Sequence, residues 1–259
     1  MLSNLDGWLV AAPDPARVRW LCDVTYAHRG LHGHGAIENS PTAFAAAIET
    51  GLGIECDVQC TADGCAAVFH DWELDRLTDE TGPVAARRME ALAQIRLRGV
   101  PDKILSLGDL LRLVAGQARL LIELKSRRGL PVGPLCRAVR NDLEGYAGPH
   151  AVMSLDPRVG HWFARHYPQT VRGLVVSEGL DRSWRSAFRL RFALWRSRPD
   201  FLACDVRDLP SRFAAAQRAR GLPVLSWTVA TPALRDRARA HADGWIAEGE
   251  GVATAPASA

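Results

Sequence analysis

The chain has 259 residues, of which 47% are hydrophobic and 24% charged, as expected for a globular protein with a sizeable core. Its formal net charge of +3 gives no whole-chain argument for a nucleic-acid binder. No run approaches the roughly 18 apolar residues needed to span a bilayer, and residues 1–20 lack the basic segment of a secretory signal peptide. The six cysteines form no Cys-x-x-Cys pair, so we expect free thiols and a cytoplasmic location.

The first 70 residues alternate between helical and extended patterns. Ser40 followed by Pro41 is typical of a helix N-cap and first helical residue. The loop before it is rich in glycine and histidine, and we interpret His32 and His34 as loop residues near the site. The predicted elements are a helix over 5–20, a strand over 25–28, a helix over 42–50, a strand over 53–59 and an extended segment over 66–69.

The rest of the chain repeats strands and helices after an irregular stretch. Residues 72–103 contain one helical pattern at 89–97, and Ser106 predicts the start of a helix over 107–115. Later helices are predicted over 133–143, 156–166, 182–195, 211–220 and 232–240. The eight main strands begin near residues 24, 53, 119, 150, 171, 201, 223 and 244.

Eight alternating strand and helix units in one chain favour a single-domain (β/α)8 TIM barrel with a small insertion after the second strand. An open doubly wound sheet is the alternative, but no Gly-x-Gly-x-x-Gly motif follows the first strand. We expect a helical lead-in at 1–23, the barrel at 24–248 and a flexible tail at 249–259.

Acidic residues lie on the late part of two predicted strands. Because side chains at i and i+2 share one face of a strand, Glu55 and Asp57 point the same way, as do Glu123 and Lys125. Neighbouring carboxylates repel unless a cation lies between them. Three carboxylates favour Mg²⁺ or Ca²⁺, whereas zinc favours His or Cys. The alternative for Glu123 and Lys125 is an ordinary salt bridge.

Two histidines flank these carboxylates at predicted strand ends. His28 and His70 suit general acid–base catalysis, because imidazole titrates near neutral pH. Arg29 could bind a phosphate with two parallel hydrogen bonds. Lysine occurs only at Lys103 and Lys125, which makes each a candidate for needing a compact ammonium group.

A series of motifs, in order along the chain, resembles the glycerophosphodiester phosphodiesterase family, in particular its bacterial cytoplasmic type. The matching segments are AHRG (27–30), ENS (38–40), IECDVQ (54–59), TADG (61–64), VFHD (68–71), LDRLT (74–78), LIELK (121–125), SLDP (154–157) and GLPVLSWTV (221–229). The sequence departs from the family pattern at Ile37, where proline is usual, and at Gly108 and Asp109, where a Glu pair is common.

The resemblance implies a TIM barrel, one divalent ion (Mg²⁺ or Ca²⁺) and a small-molecule glycerophosphodiester substrate. It implies that the glycerol 2-hydroxyl attacks the phosphorus, giving a cyclic phosphate that water opens to sn-glycerol 3-phosphate. Trp227 would lie near the glycerol end, although a core tryptophan is an equal alternative. The other implied roles are His28 as base, His70 as acid, Glu55, Asp57 and Glu123 as metal ligands, Arg29 and Lys125 as phosphate contacts, and Glu38 and Asn39 as supports.

Two other functions are compatible with the sequence. The first is a phospholipase C- or D-like enzyme that acts on membrane (lyso)phospholipid. Residues 182–198 suggest it, because arginines there surround a stripe of aromatic residues. Such a helix could contact a membrane surface. The same stripe could instead pack an outer helix on the barrel. The other function is a non-catalytic TIM-barrel binding protein, against which the full set of acid, base and ligand residues argues. The head group, the metal and the oligomeric state stay open.

Overall fold

The structure, a computed structural model, describes residues 2–33, 35–179 and 184–252. His34 and the start of the 182–198 segment therefore lie outside the described residues, as does the predicted tail from residue 253 onward. The strands are β1 Tyr26–Ala27, β2 Gly53–Cys60, β3 Ala66–Val68, β4 Leu105–Ser106, β5 Leu120–Leu124, β6 His150–Ser154, β7 Val171–Val176, β8 Phe201–Asp205, β9 Val224–Val229 and β10 Gly244–Ala247.

Eight of these strands close into a parallel barrel. The hydrogen-bonded order β1-β10-β9-β8-β7-β6-β5-β2 returns to its start, because β1 also pairs with β2. The two short strands β3 and β4 extend the sheet antiparallel from β2 and belong to the insertion. The predicted single-domain TIM barrel with an insertion after the second strand is confirmed.

From α3 onward the helices lie between strands, and two of them begin at the predicted caps. Ser40 accepts a hydrogen bond from the Ala43 amide, and Ser106 forms a capping box with Asp109. Asp109, one of the departures from the family pattern, therefore stabilises a helix start. The helices are α1 Leu2–Leu9, α2 Pro15–Val18, α3 Pro41–Glu49, α4 Met89–Leu92, α5 Leu107–Val114, α6 Gly133–Asp142, α7 Pro157–His166, α8 Trp184–Ser197, α9 Arg212–Arg218 and α10 Pro232–His241.

Two predicted helices are shorter in the structure. The helix predicted over 5–20 is divided into α1 and α2, because Pro13 cannot continue a helix and Asp14 caps a new one through the Ala16 amide. The helical pattern at 89–97 forms only the single turn α4. Its apolar residues instead enter a separate cluster beneath the insertion, with Phe69 and Leu74 among its members.

Alternate residues of the strands face opposite sides of the barrel wall. One set, including Leu121, Met153 and Phe201, fills the barrel interior, and the intervening set packs outward against the helices. A Cβ atom on Gly173 would lie 2.3 Å from the Phe201 ring, so only glycine at this position admits that ring. Three acidic side chains also point into the barrel, those of Glu55, Asp57 and Glu123. They lie above this core, on the side toward which the strands run.

Helix α8 carries the basic and aromatic segment considered for membrane contact. Leu194 is buried in a cluster with residues of β7 and β8, and the Trp195 indole donates to Asp6 Oδ1 on α1. This side of α8 therefore packs on the barrel and on α1. Phe188 and Phe192 are 57% and 52% exposed. Of the aromatic stripe on α8, Trp195 therefore packs against the protein, whereas Phe188 and Phe192 face solvent. Among the described residues, no helix has the length and apolar character needed to cross a membrane.

Candidate active site

Three carboxylates from two neighbouring strands meet at the mouth of the barrel. Asp57 on β2 is paired in register with Glu123 on β5, and Glu55 lies two residues earlier on the same face. One oxygen from each of the three lies within 4.8 Å of the others. Glu55 and Asp57 are each only 2% exposed, and Glu123 is partly buried. The structure thus brings together the three metal ligands predicted from sequence.

The electrostatics of this cluster favour a bound cation. Burial, together with the charges of Asp57 and Glu123, raises the pKa of Glu55 well above its ordinary value. Burial and the charge of Asp57 raise the pKa of Glu123 to about 7. Such shifts mean that Glu55 and Glu123 resist ionising in this cluster without added positive charge. Because all three donors are oxygens, the cluster fits Mg²⁺ or Ca²⁺.

Lys125 provides one positive charge at the edge of the cluster. Its Nζ lies 3.4 Å from Asp57 Oδ1 and 3.4 Å from Glu123 Oε1. Burial alone would lower the pKa of Lys125, but the two carboxylates outweigh it and raise the pKa. The ammonium group therefore stays charged beside the carboxylates. The salt bridge between Lys125 and Glu123, which was the alternative interpretation of these two residues, is therefore present beside the carboxylate cluster.

The loop after β1 fixes the carboxylates from the other side. The Arg29 amide donates to Glu55 Oε2 at 3.0 Å, and its guanidinium donates to Glu38 Oε1 at 2.7 Å. Asn39 donates to Asp57 Oδ2 at 3.1 Å and accepts from the Asp57 amide at 3.3 Å. Arg29 and Asn39 both have a φ of +56°, in the left-handed region, which asparagine tolerates better than arginine does. The loop therefore holds the cluster with an unfavourable backbone conformation at Arg29.

His70 lies at the end of the segment that follows β3. Its Nδ1 is 2.8 Å from Asp71 Oδ1, and burial lowers its pKa although Asp57 and Asp71 oppose the change. Arg76 joins this group to the β1 loop by binding both Asp71 and Glu38. Hydrogen bonds from Arg76 lower the pKa of Asp71 to about 2. Sequence analysis assigned no role to Asp71 or Arg76.

His28 follows β1 and is held by the residue that follows the last strand of the barrel. Its Nδ1 lies 2.6 Å from Oε2 of Glu248, which comes directly after β10. The hydrogen bond from His28 holds the pKa of Glu248 well below its usual range. His32 Nε2 lies 3.6 Å from the same oxygen. Sequence analysis did not assign Glu248 a role, although its place at the carboxyl end of a barrel strand was a usable signal.

Trp227 on β9 is oriented toward the barrel wall. Its indole Nε1 donates to the Ala203 carbonyl at 2.8 Å, and its ring packs against the interior cluster. These contacts correspond to the core tryptophan that was the alternative to a substrate contact.

Two cavities adjoin the charged residues. A cleft of about 440 Å³ lies beside His70 and Lys125 and is bordered by Trp72 and Arg127. The Arg127 guanidinium lies 4.5 Å from the centre of the Trp72 ring. A smaller cavity of about 110 Å³ shares Trp72, Lys125 and Arg127 and continues toward Leu130. A substrate group can therefore occupy the space beside His70.

Comparisons with known proteins identify what the chain is similar to. The model of the glycerophosphoryl diester phosphodiesterase family matches residues 28–144. The glycerophosphodiester phosphodiesterase of Caldanaerobacter subterraneus subsp. tengcongensis is 27% identical over 185 residues, covering 63% of this chain and 71% of that protein. The glycerophosphodiester phosphodiesterase of Bacillus altitudinis is 46% identical over 68 residues, covering 26% of this chain and 27% of that protein. Over residues 28–144 the chain is therefore similar to the glycerophosphoryl diester phosphodiesterase family.

Solved structures share the fold of this chain over most of its length. An Oleispira antarctica phosphodiesterase in complex with the product sn-glycerol-3-phosphate has a TM-score of 0.76 at 21% identity, covering 89% of this chain and 94% of that one. A putative glycerophosphoryl diester phosphodiesterase from Silicibacter pomeroyi has a TM-score of 0.72 at 24% identity, covering 95% and 93%. The family match at 28–144 contains every site residue predicted from sequence except Trp227, and it ends before Glu248.

Proposed function

We propose that the protein hydrolyses glycerophosphodiesters to sn-glycerol 3-phosphate and an alcohol. The observation that carries this proposal is the buried group of Glu55, Asp57 and Glu123, with His28 following one neighbouring strand and His70 bordering the adjacent cleft. The similarity of residues 28–144 to the glycerophosphoryl diester phosphodiesterase family supports the same reaction.

The charged residues of the mouth would bind the phosphodiester. Lys125 and Arg29 are the cations nearest the carboxylates and would neutralise the phosphate oxygens. Glu38 and Asn39 would hold Arg29 and Asp57 in place rather than contact substrate. Mg²⁺ or Ca²⁺ held by Glu55, Asp57 and Glu123 would act as a Lewis acid that withdraws charge from the phosphate.

The two histidines would act at opposite ends of the reacting bond. Glu248 accepts a hydrogen bond from His28 Nδ1, which leaves Nε2 as the nitrogen that removes the proton of the glycerol 2-hydroxyl. Asp71 orients His70 in the same manner, and His70 would protonate the departing alcohol. The roles exchange when water opens the cyclic phosphate. The cleft beside His70 would receive the alcohol.

The test is release of sn-glycerol 3-phosphate from a panel of glycerophosphodiesters with choline, ethanolamine, glycerol and inositol head groups, each with Mg²⁺ and with Ca²⁺. We expect turnover of at least one diester. Equal turnover of a diester that lacks the glycerol 2-hydroxyl would contradict the cyclic intermediate. No turnover of the whole panel with either metal would remove the proposed function.

A second candidate is action on phospholipid at an anionic membrane surface. The exposed Phe188 and Phe192 on α8 favour it, since aromatic side chains on a basic helix can enter the interface. Co-sedimentation with anionic vesicles at low salt tests this candidate. Binding that is lost in a Phe188→Ser, Phe192→Ser double variant would support it, and absence of binding would leave α8 as a packing helix.

A further inference from the structure

We propose that His28, His32 and Glu248 form a second metal site, which takes a nitrogen-preferring transition-metal dication such as Zn²⁺ and inhibits the enzyme when filled. Two imidazole nitrogens and one carboxylate oxygen from these residues lie within 4.8 Å of one another. His28 Nδ1 and His32 Nε2 both face Glu248 Oε2, at 2.6 Å and 3.6 Å.

The hydrogen bond between His28 and Glu248 does not account for the position of His32, whose ring nitrogen also faces Glu248. Its Nε2 is buried yet has no hydrogen-bond partner, because 3.6 Å from Glu248 is too long for a hydrogen bond. A buried polar atom without a partner is unfavourable. A metal ion between His32 and Glu248 would bind the lone pair of His32 Nε2 and so give this atom a partner. The His32 side chain as a whole is 26% exposed, so the cluster lies close to the protein surface.

The backbone of each proposed ligand is already fixed. The His28 amide donates to Ala247, the His32 amide to Gly30, and the Glu248 amide to Val229. Zinc binds nitrogen and carboxylate oxygen at about 2.0–2.2 Å in tetrahedral geometry. Ligand atoms then lie about 3.3 Å apart, so His28 Nδ1 and Glu248 Oε2 would separate by less than about 1 Å and His32 would move closer.

The donor set separates this site from the carboxylate cluster. Two imidazoles and one carboxylate are a typical set for zinc, and Mg²⁺ and Ca²⁺ bind such nitrogen donors poorly. Glu55, Asp57 and Glu123 present only oxygen donors. The activating ion and the inhibiting ion would therefore occupy different clusters in the same mouth.

Inhibition follows from the use of His28, and this consequence rests on the proposed function. The incoming ion replaces the proton on His28 Nδ1, which leaves to solvent, and breaks the hydrogen bond to Glu248. A dication bound to one imidazole nitrogen makes the other nitrogen a poorer proton acceptor. His28 would then no longer remove the substrate hydroxyl proton.

The binding test uses Co²⁺ as a visible probe for the zinc site in Mg²⁺-saturated protein. We expect the intense absorption bands of tetrahedral Co²⁺, which added Zn²⁺ abolishes. His32→Asn should lose these bands. His166→Asn should keep them, because His166 is an exposed histidine on the outer helix α7. No bands in the wild type, or unchanged bands in His32→Asn, would overturn the site, and this readout is independent of enzyme activity.

The inhibition test measures glycerol 3-phosphate release against Zn²⁺ concentration at saturating Mg²⁺. We expect micromolar inhibition of the wild type and of His166→Asn, and an inhibition constant at least about tenfold higher in His32→Asn. Without added Zn²⁺, the activity of the three proteins in Mg²⁺ should be similar. Inhibition that excess Mg²⁺ relieves would place Zn²⁺ at the carboxylates and overturn the proposal, as would equal inhibition of His32→Asn. Loss of all turnover in Mg²⁺ would instead contradict the proposed function.

Discussion

The first half of the barrel, from β1 to β5, and the second half, from β6 to β10, differ in what they bring to the mouth. The first half carries His28, His70 and the three carboxylates, and it coincides with the family match at 28–144. The second half brings Glu248, which reaches the mouth because β10 pairs with β1. Its strands otherwise fill the interior and pack against outer helices. The proposed catalytic and metal-binding residues are therefore concentrated in one half, while closure by the other half brings Glu248 to His28.

The largest loss is expected in the first half at His70. His70→Ala should reduce kcat by about 10²–10⁴-fold, because the departing alcohol would lose its proton donor. His166→Ala is the matched control and should leave kcat unchanged, since this histidine is exposed on α7. Steady-state kinetics with glycerophosphocholine check both. Near-normal turnover of His70→Ala would end its assignment as the acid.

Lys125→Arg should be the next most damaging change, although it keeps the charge. The Lys125 ammonium lies 3.4 Å from each of Asp57 and Glu123, and a planar guanidinium cannot take the same position. We expect kcat/KM to fall by about 10²-fold, in the range found when one charge-stabilising donor is lost. Lys103→Arg is the control, because Lys103 contacts Gln94 on the surface of the insertion. Equal kcat/KM for Lys125→Arg and the wild type would show that a compact ammonium is not needed.

In the second half, Glu248→Gln should reduce kcat by about 10–100-fold with little change in KM. The amide removes the charge that fixes the His28 tautomer, so the limb of the pH profile that reports the base should also shift. Glu250→Gln, two residues later and exposed, is the control. A wild-type pH profile for Glu248→Gln would show that the second half contributes only scaffold.

The smallest catalytic effect is expected at Trp227. Trp227→Phe removes the hydrogen bond to the Ala203 carbonyl and should cost about 1 kcal/mol of unfolding free energy, with kcat/KM close to the wild-type value. Denaturant unfolding and steady-state kinetics measure the two quantities. A large rise in KM with unchanged stability would instead support the substrate contact that the family resemblance implies.

The same division explains what the sequence could predict. The pairing of Glu55 with Asp57 follows from strand periodicity, and the helix starts at Ser40 and Ser106 follow from capping chemistry. The contact between His28 and Glu248 joins residues 220 positions apart and depends on how the barrel closes. The bridges of Arg76 to Asp71 and Glu38 depend on the path of the insertion, which carries no regular period.

The central claim is that carboxylates from two strands of the first half are brought together to hold a divalent ion. The pKa of Glu123 is raised to about 7 in the folded protein, against about 4.3 in an unfolded chain. Between these values the folded state binds protons that the unfolded state has released, so the metal-free protein should lose stability as pH rises across this window. A bound cation should offset that loss.

The most direct measurement is therefore the melting temperature of chelated protein, with and without Mg²⁺ or Ca²⁺, at pH 5 and at pH 7.5. The account predicts a clear rise in Tm on metal addition at pH 7.5, a much smaller rise at pH 5, and loss of the rise in Glu123→Gln. Glu73→Gln, at a partly exposed carboxylate of the insertion, should respond as the wild type does. A metal-induced rise in Tm that is the same at both pH values, or that survives in Glu123→Gln, would contradict the metal site.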